Sequence, residues 1–192
     1  RAKKYEYVIF CGMGGSGLSV QAVKSMFARP DDDDMRIYSL RTTDPAAIKE
    51  IIDEITVYEN DDIKQALKHT LIIPISKSGT TAETVTHKEY FEKLYADVFK
   101  GDETVDIKDH MWVMTDKGSP FDAKVYPQRD IQLNGAGDVG GRFTAPTTRI
   151  FLMPLALVNP DMVWKVLRQA RSMHNQADMS RDDFVQLGAF LY

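Results

Sequence analysis

Between residues 71 and 84 an apolar run, Leu71-Ile72-Ile73-Pro74-Ile75, gives way to Ser76-Lys77-Ser78-Gly79-Thr80-Thr81 and then to Ala82-Glu83-Thr84. Ser76, Ser78, Thr80 and Thr81 place four hydroxyls within six positions. Gly79 lets the backbone turn its N–H groups inward, and a helix starting near Thr81 adds unpaired N–H groups with partial positive charge. A strand–loop–helix junction of this make-up is a cradle for a phosphate ester. Taken alone, the run also reads as a hydroxyl-rich turn capping a helix. A second junction of the same kind upstream favours the phosphate reading.

That junction follows the apolar stretch Tyr5 to Phe10. It reads Cys11-Gly12-Met13-Gly14-Gly15-Ser16-Gly17, then a helical pattern with Val20, Val23 and Phe27 on one face. Gly12, Gly14 and Gly17 have the spacing of a dinucleotide fingerprint. Such a site also wants an acid after the second strand to hold a ribose. Here the strand Arg36 to Leu40 runs into Arg41-Thr42-Thr43, and the acids Asp31 to Asp34 lie before it. A dinucleotide reading therefore survives as an NADP variant, with Arg41 facing the extra phosphate, and ranks second. A third loop, Asn134 to Phe143, carries four glycines within seven residues (Gly135, Gly137, Gly140, Gly141) and then Arg142. It makes a poor structural element and a plausible site.

The elements that position these loops alternate. Asp44-Pro45 starts a helix, with a capping acid and a proline at the first helical position. Ile48, Ile51, Ile52 and Ile55 follow at core-facing spacing. A short helix through Ile63 to Leu67 leads to the Leu71 strand. The helix after the hydroxyl loop carries Phe91, Leu94, Tyr95 and Val98 on one stripe. Further strands are expected at Met111 to Met114 and Ile131 to Leu133. From Thr147 onward the chain reads as helices, with Val163, Val166, Leu167 and Ala170 on one stripe and Phe184, Leu187 and Leu191 beginning another. Strands alternating with helices imply an α/β fold, a doubly wound parallel sheet covered on both faces. Ligands in such sheets sit beyond the carboxyl ends of the strands. All three loops follow strands, so all three should open on one edge and share one ligand.

The chain has 192 residues, 43% hydrophobic and 27% charged, with formal charge -4. That is ordinary for a soluble globular domain and argues against nucleic acid as partner. The longest apolar run, Ile150 to Val158, contains Pro154 and is too short to span a membrane. The single cysteine, Cys11, sits in a strand-like run and reads as a small buried hydrophobe; with no signal peptide, this points to a reducing cytosol. His69, His87 and His110 flank elements without a metal-ligand pattern, and His174 reads as a surface or helix-end histidine. The chain opens at Arg1 and ends at Tyr192 within a helical pattern, which suggests a domain excised from a longer protein.

Three runs together resemble the signatures of the glucose-6-phosphate isomerase family: Gly12-Met13-Gly14-Gly15-Ser16, Ser76 through Thr84, and Gly140-Gly141-Arg142-Phe143. Met114-Thr115-Asp116 with Gly118-Ser119-Pro120 looks like a fourth. The resemblance implies a sugar-isomerase (SIS) domain over residues 1–192, a three-layer, flavodoxin-like sandwich of about five parallel strands. Residues 1–142 would form the sheet core and 143–192 a helical extension. It implies a cytoplasmic, typically homodimeric parent enzyme that interconverts glucose 6-phosphate and fructose 6-phosphate, in glycolysis and gluconeogenesis, without cofactor or metal. By the same resemblance the phosphate would rest on Ser76, Ser78 and Thr81 with the Lys77 backbone N–H, while Gly15, Ser16 and Gly141 line the sugar. Arg142 would stabilise the enediolate, and Glu83 matches a family glutamate near the reacting end. Removing a proton beside a carbonyl leaves an enediolate anion, and a permanently charged planar guanidinium suits it. The family's proton-shuttling glutamate, ring-opening histidine and a further lysine lie downstream of the positions matched here. The run Thr144-Ala145-Pro146-Thr147 also differs from the family's. The implied fragment binds substrate but lacks the base. A non-catalytic sugar-phosphate sensor with the same domain is the other alternative; a sensor needs no enediolate cation.

Overall fold

The computed structural model describes residues 4–28, 35–122, 125–131 and 148–174. Five strands form one parallel sheet in the order β2-β1-β3-β4-β5: β1 Tyr7–Gly12, β2 Arg36–Leu40, β3 Thr70–Ile75, β4 Val113–Thr115 and β5 Gln128–Asp130. The helices are α1 Gly15–Phe27, α2 Pro45–Tyr58, α3 Ile63–Lys68, α4 Ala82–Val98, α5 Arg149–Val158 and α6 Pro160–His174. The order is the flavodoxin-like one, not the 3-2-1-4-5-6 order of the common dinucleotide fold. The glycine spacing after β1 therefore does not carry a dinucleotide fold with it.

The sheet is held by two apolar layers. Side chains on a strand alternate between faces. Accordingly Tyr7, Ile9 and Cys11 of β1 pack with Ile48, Ile52, Ile55, Leu67, Phe91 and Tyr95 from α2, α3 and α4. Val8 and Phe10 pack on the other face with Val20 and Val23 of α1 and Ile150, Leu152, Leu155 and Val158 of α5. β1 and β3 are buried along their whole length, as a central parallel strand must be when helices cover both faces. Cys11 is fully buried, and burial pushes its thiol pKa up, so it behaves as the small hydrophobe expected.

The start of α2 follows its sequence signals: the Asp44 carboxylate accepts from the Ala46 N–H at 2.9 Å, with Pro45 at the first helical position. Asp62 caps α3 in the same way, accepting from Lys64 and Gln65. Two strands shift from their expected positions. Met111 makes an isolated bridge to Ile72, and the continuous β4 ladder begins at Val113. The last strand pairs over Gln128–Asp130, three residues before the expected Ile131. Ile131 is buried just beyond it, and its carbonyl accepts from the Arg149 N–H. Burial of one large side chain marked the region, but an edge ladder is made by backbone groups that hydropathy does not record. The stripe at Phe184 to Leu191, and Gln132 and Leu133, lie outside the described residues.

Gly17 sets how closely α1 lies on β1. A Cβ there would come within 2.4 Å of the Gly12 carbonyl oxygen and within 2.4 Å of Cγ of Arg41. The arginine side chain can swing aside, but the backbone oxygen cannot. Gly17→Ala is expected to lower the unfolding free energy by about 2 kcal/mol, by forcing α1 off the strand. Urea denaturation measures this; an unchanged midpoint would show that α1 can slide without cost.

Candidate functional site

β1 and β3 are neighbours whose connections leave in opposite directions, and their carboxyl ends lie level, with Gly12 opposite Ile75. This is the switch point where a doubly wound sheet opens a crevice. A cleft of about 440 Å³ lies there, lined by Met13, Gly14, Gly15, Ser16, Ile75, Ser76, Lys77, Ser78 and Thr81. Six of the residues expected to bind substrate, Gly15, Ser16, Ser76, Lys77, Ser78 and Thr81, are thus brought together.

Both walls end in helix N-termini. α1 begins after Gly14, whose φ of 54° lies in the left-handed region that glycine enters freely. α4 begins after Thr81, and among the described residues neither helix has a side-chain hydrogen bond from its N-cap residue. Thr81 has a capping residue's type and position, but its hydroxyl is engaged elsewhere: Ser76 Oγ donates to Thr81 Oγ1 at 2.9 Å. Ser76, only 2% exposed, shapes the floor of the cleft. Because Thr81 Oγ1 accepts that bond, its own O–H is left to donate to a ligand. Ser78 Oγ and Thr80 Oγ1 pair at the rim at 2.8 Å.

The loop is braced from behind. Thr115 Oγ1 donates to the Ser76 carbonyl at 2.7 Å, and the Asp116 N–H donates to the Lys77 carbonyl at 3.2 Å. Gly79 has φ 66°, and a Cβ there would meet Ser119 Oγ at 2.9 Å and the Phe121 nitrogen at 3.0 Å. Only glycine satisfies both the backbone angle and that wall. Thr115 and Ser119 therefore belong to the site as its support. Their signal in the sequence was the run Met114 to Pro120, which names the residues but not their contact with the hydroxyl loop.

Other expected residues stand apart. Glu83 lies in the first turn of α4 but does not line the cleft. Arg41 lies against Gly17, beside α1. Gly141 and Arg142 lie outside the described residues, as does the side chain of His174.

His87, expected at the flank of an element, lies inside α4, and its partner was not foreseen. It is buried on α4, its Nε2 donates to the Thr42 carbonyl at 2.8 Å, and its Nδ1 has no hydrogen-bond partner among the described residues. This ties α4 to the segment after β2, a contact across 45 positions that no local pattern announces. Burial lowers the His87 pKa, against smaller raising contributions from the Thr42 bond and from Glu83. His110, whose Nδ1 donates to the Thr70 carbonyl, is lowered by burial too. His69 was read as outside any metal-ligand pattern; the fold instead brings it beside Glu6 and Glu59.

The pH dependence follows in sign. Between the lowered folded values and the ordinary 6.5, the unfolded chain binds more protons at His87 and His110 than the folded chain. Stability from these groups is complete above about pH 6.5 and is lost as the pH falls below it. The unfolding free energy is expected to drop as the pH falls from about 6.5 to 5, and less steeply in His87→Gln, where an amide keeps the bond to Thr42. Equal slopes in urea titrations of both proteins would contradict this.

No protein-family model matches the chain. It is 33% identical over 142 residues to the glucose-6-phosphate isomerase of Chlamydia muridarum (strain MoPn / Nigg), covering 74% of this chain and 24% of that protein. It is 29% identical over 174 residues to that of Trichormus variabilis, covering 90% of this chain and 30% of that protein. Among solved structures, a glucose-6-phosphate isomerase from Chlamydia trachomatis D/UW-3/Cx superposes with a TM-score of 0.63 at 30% identity, covering 81% of this chain and 26% of that one. A hypothetical protein from Thermus thermophilus superposes with a TM-score of 0.73 at 26% identity, covering 97% of this chain and 41% of that one. The chain spans about a quarter of the length of the curated relatives it matches first.

Proposed function

From its homology to the glucose-6-phosphate isomerases, we propose that this chain forms the sugar-phosphate-binding part of such an isomerase, acting on glucose 6-phosphate and fructose 6-phosphate. One observation carries the reading: two helix N-termini without side-chain caps converge on one hydroxyl-lined cleft at the switch point of the sheet. Such ends favour a dianionic phosphate through their N–H groups and dipoles. In this reading the phosphate rests on the first turn of α4, on the Thr81 and Ser78 hydroxyls and on the Lys77 backbone. Ser76 aims the Thr81 hydroxyl, and Gly15 and Ser16 bound the sugar.

The isomerisation removes a proton beside the carbonyl and returns it to the neighbouring carbon through an enediolate. Arg142 supplies the fixed positive charge for that anion, and Gly141 lets the backbone approach it. Glu83 favours the α4 dipole from its first turn. The base comes from the part of the longer relatives that this chain does not span, so the chain alone binds substrate without turning it over.

Calorimetric titration with 6-phosphogluconate, whose carboxylate mimics the enediolate charge, tests the assignment. Thr81→Val is expected to weaken binding by about 10-fold or more, the loss of one hydrogen bond to a charged group. Arg142→Ala should weaken 6-phosphogluconate but leave inorganic phosphate unchanged. Indifference of both ligands to Arg142 would favour a sensing module over an enzyme part. Isomerase turnover by the chain alone, in a coupled assay, would place a base within these 192 residues.

A further inference from the structure

At the opposite edge of the sheet, where the strands begin, Glu6, Glu59 and His69 point together, their ligand atoms all within 4.8 Å of one another. We propose that these three side chains form a binding site for a divalent transition-metal ion such as Zn²⁺, separate from the sugar-phosphate cleft. Two carboxylates and one imidazole are a donor set that such ions accept, with water completing the shell.

The three ligands sit on elements that are already fixed. The Glu6 and Tyr7 N–H groups both donate to the His69 carbonyl, at 2.8 and 3.1 Å, which locks the entries of β1 and β3 side by side. Glu59 ends α2 in a tight turn: Asn60 and Asp61 both have positive φ, 55° and 65°, and the Asp62 N–H donates back to the Glu59 carbonyl. Asn and Asp are the non-glycine residues that enter the left-handed region most readily, so the turn directly after Glu59 is one that the sequence supports.

Glu59 also has the outer partner that a metal-binding carboxylate usually has. The Tyr7 hydroxyl donates to Glu59 Oε1 at 3.1 Å.

His69 Nδ1 lies 2.9 Å from Glu59 Oε1. Two donor atoms that far apart, each about 2.0–2.1 Å from a metal, subtend close to a right angle, and the tetrahedral angle needs a separation of about 3.4 Å. Rotations of about half an ångström reach it. The ion then takes the place of the hydrogen between His69 Nδ1 and Glu59, and the neutral imidazole carries its one N–H on Nε2.

Titration of the 192-residue chain with ZnCl₂ at pH 7.5 tests the site. One equivalent is expected to bind and to raise the melting temperature. His69→Ala and Glu59→Gln should each weaken binding by at least about 10-fold and abolish the zinc-dependent shift, whatever they do to the melting temperature without zinc. Tyr7→Phe, which removes only the outer hydroxyl, should weaken it by about 10-fold. Absence of stoichiometric binding, or binding that neither His69→Ala nor Glu59→Gln alters, would overturn the proposal.

Discussion

The parallel pairing of β1 with β3 is the constraint from which the rest follows. Six residue pairs, from Tyr7 opposite Thr70 to Gly12 opposite Ile75, run the two strands to the same edge. Parallel neighbours cannot be joined by a hairpin, so each must be followed by a crossover helix. Both helices therefore start where the strands stop, a short distance apart, with their N–H ends toward the same space. Gly12 keeps the strands and α1 close: a Cβ there would sit 3.0 Å from the Ser16 side chain and 3.3 Å from Ile75. The cleft is a consequence of sheet topology before any one side chain is considered.

What was legible in the sequence was what local chemistry writes. The apolar stretch Tyr5 to Phe10, the isoleucines of α2 and the Asp44-Pro45 start all state their own environment, because burial and capping act within a few residues. The hydroxyl loop was legible for the same reason: its donors and its glycine lie in one run. What the sequence hid depends on contacts between distant segments. His87 meets Thr42, Thr115 meets Ser76, and Glu6, Glu59 and His69 meet only after three elements have packed. The strand Gln128–Asp130 was hidden differently, since polar side chains on an edge strand leave only the backbone ladder as evidence. The spacing Gly12, Gly14, Gly17 misled in part, because it records close packing of a helix on a strand, which several nucleotide- and phosphate-binding folds share.

The run Gly118-Ser119-Pro120 shows how support for a site can be written away from it. Ser119, Pro120 and Phe121 form the wall against which Gly79 rests, and Thr115 holds the carbonyl of Ser76. A loop that must present donors to a ligand gains little from flexibility, since every ordering step would be paid at binding. Here β4 and the turn after it order the loop in advance.

Thr81 carries one more consequence. A threonine at a helix N-cap ordinarily contributes about 0.5–2 kcal/mol by bonding to its own first turn. Here the hydroxyl is turned toward Ser76, and no side chain among the described residues caps the first turn of α4. On the proposed function, a phosphate oxygen in that position would do the work of the missing cap. The ligand would then be the last piece of secondary structure, and the stability of α4 and the affinity of the cleft would be two readings of one set of hydrogen bonds.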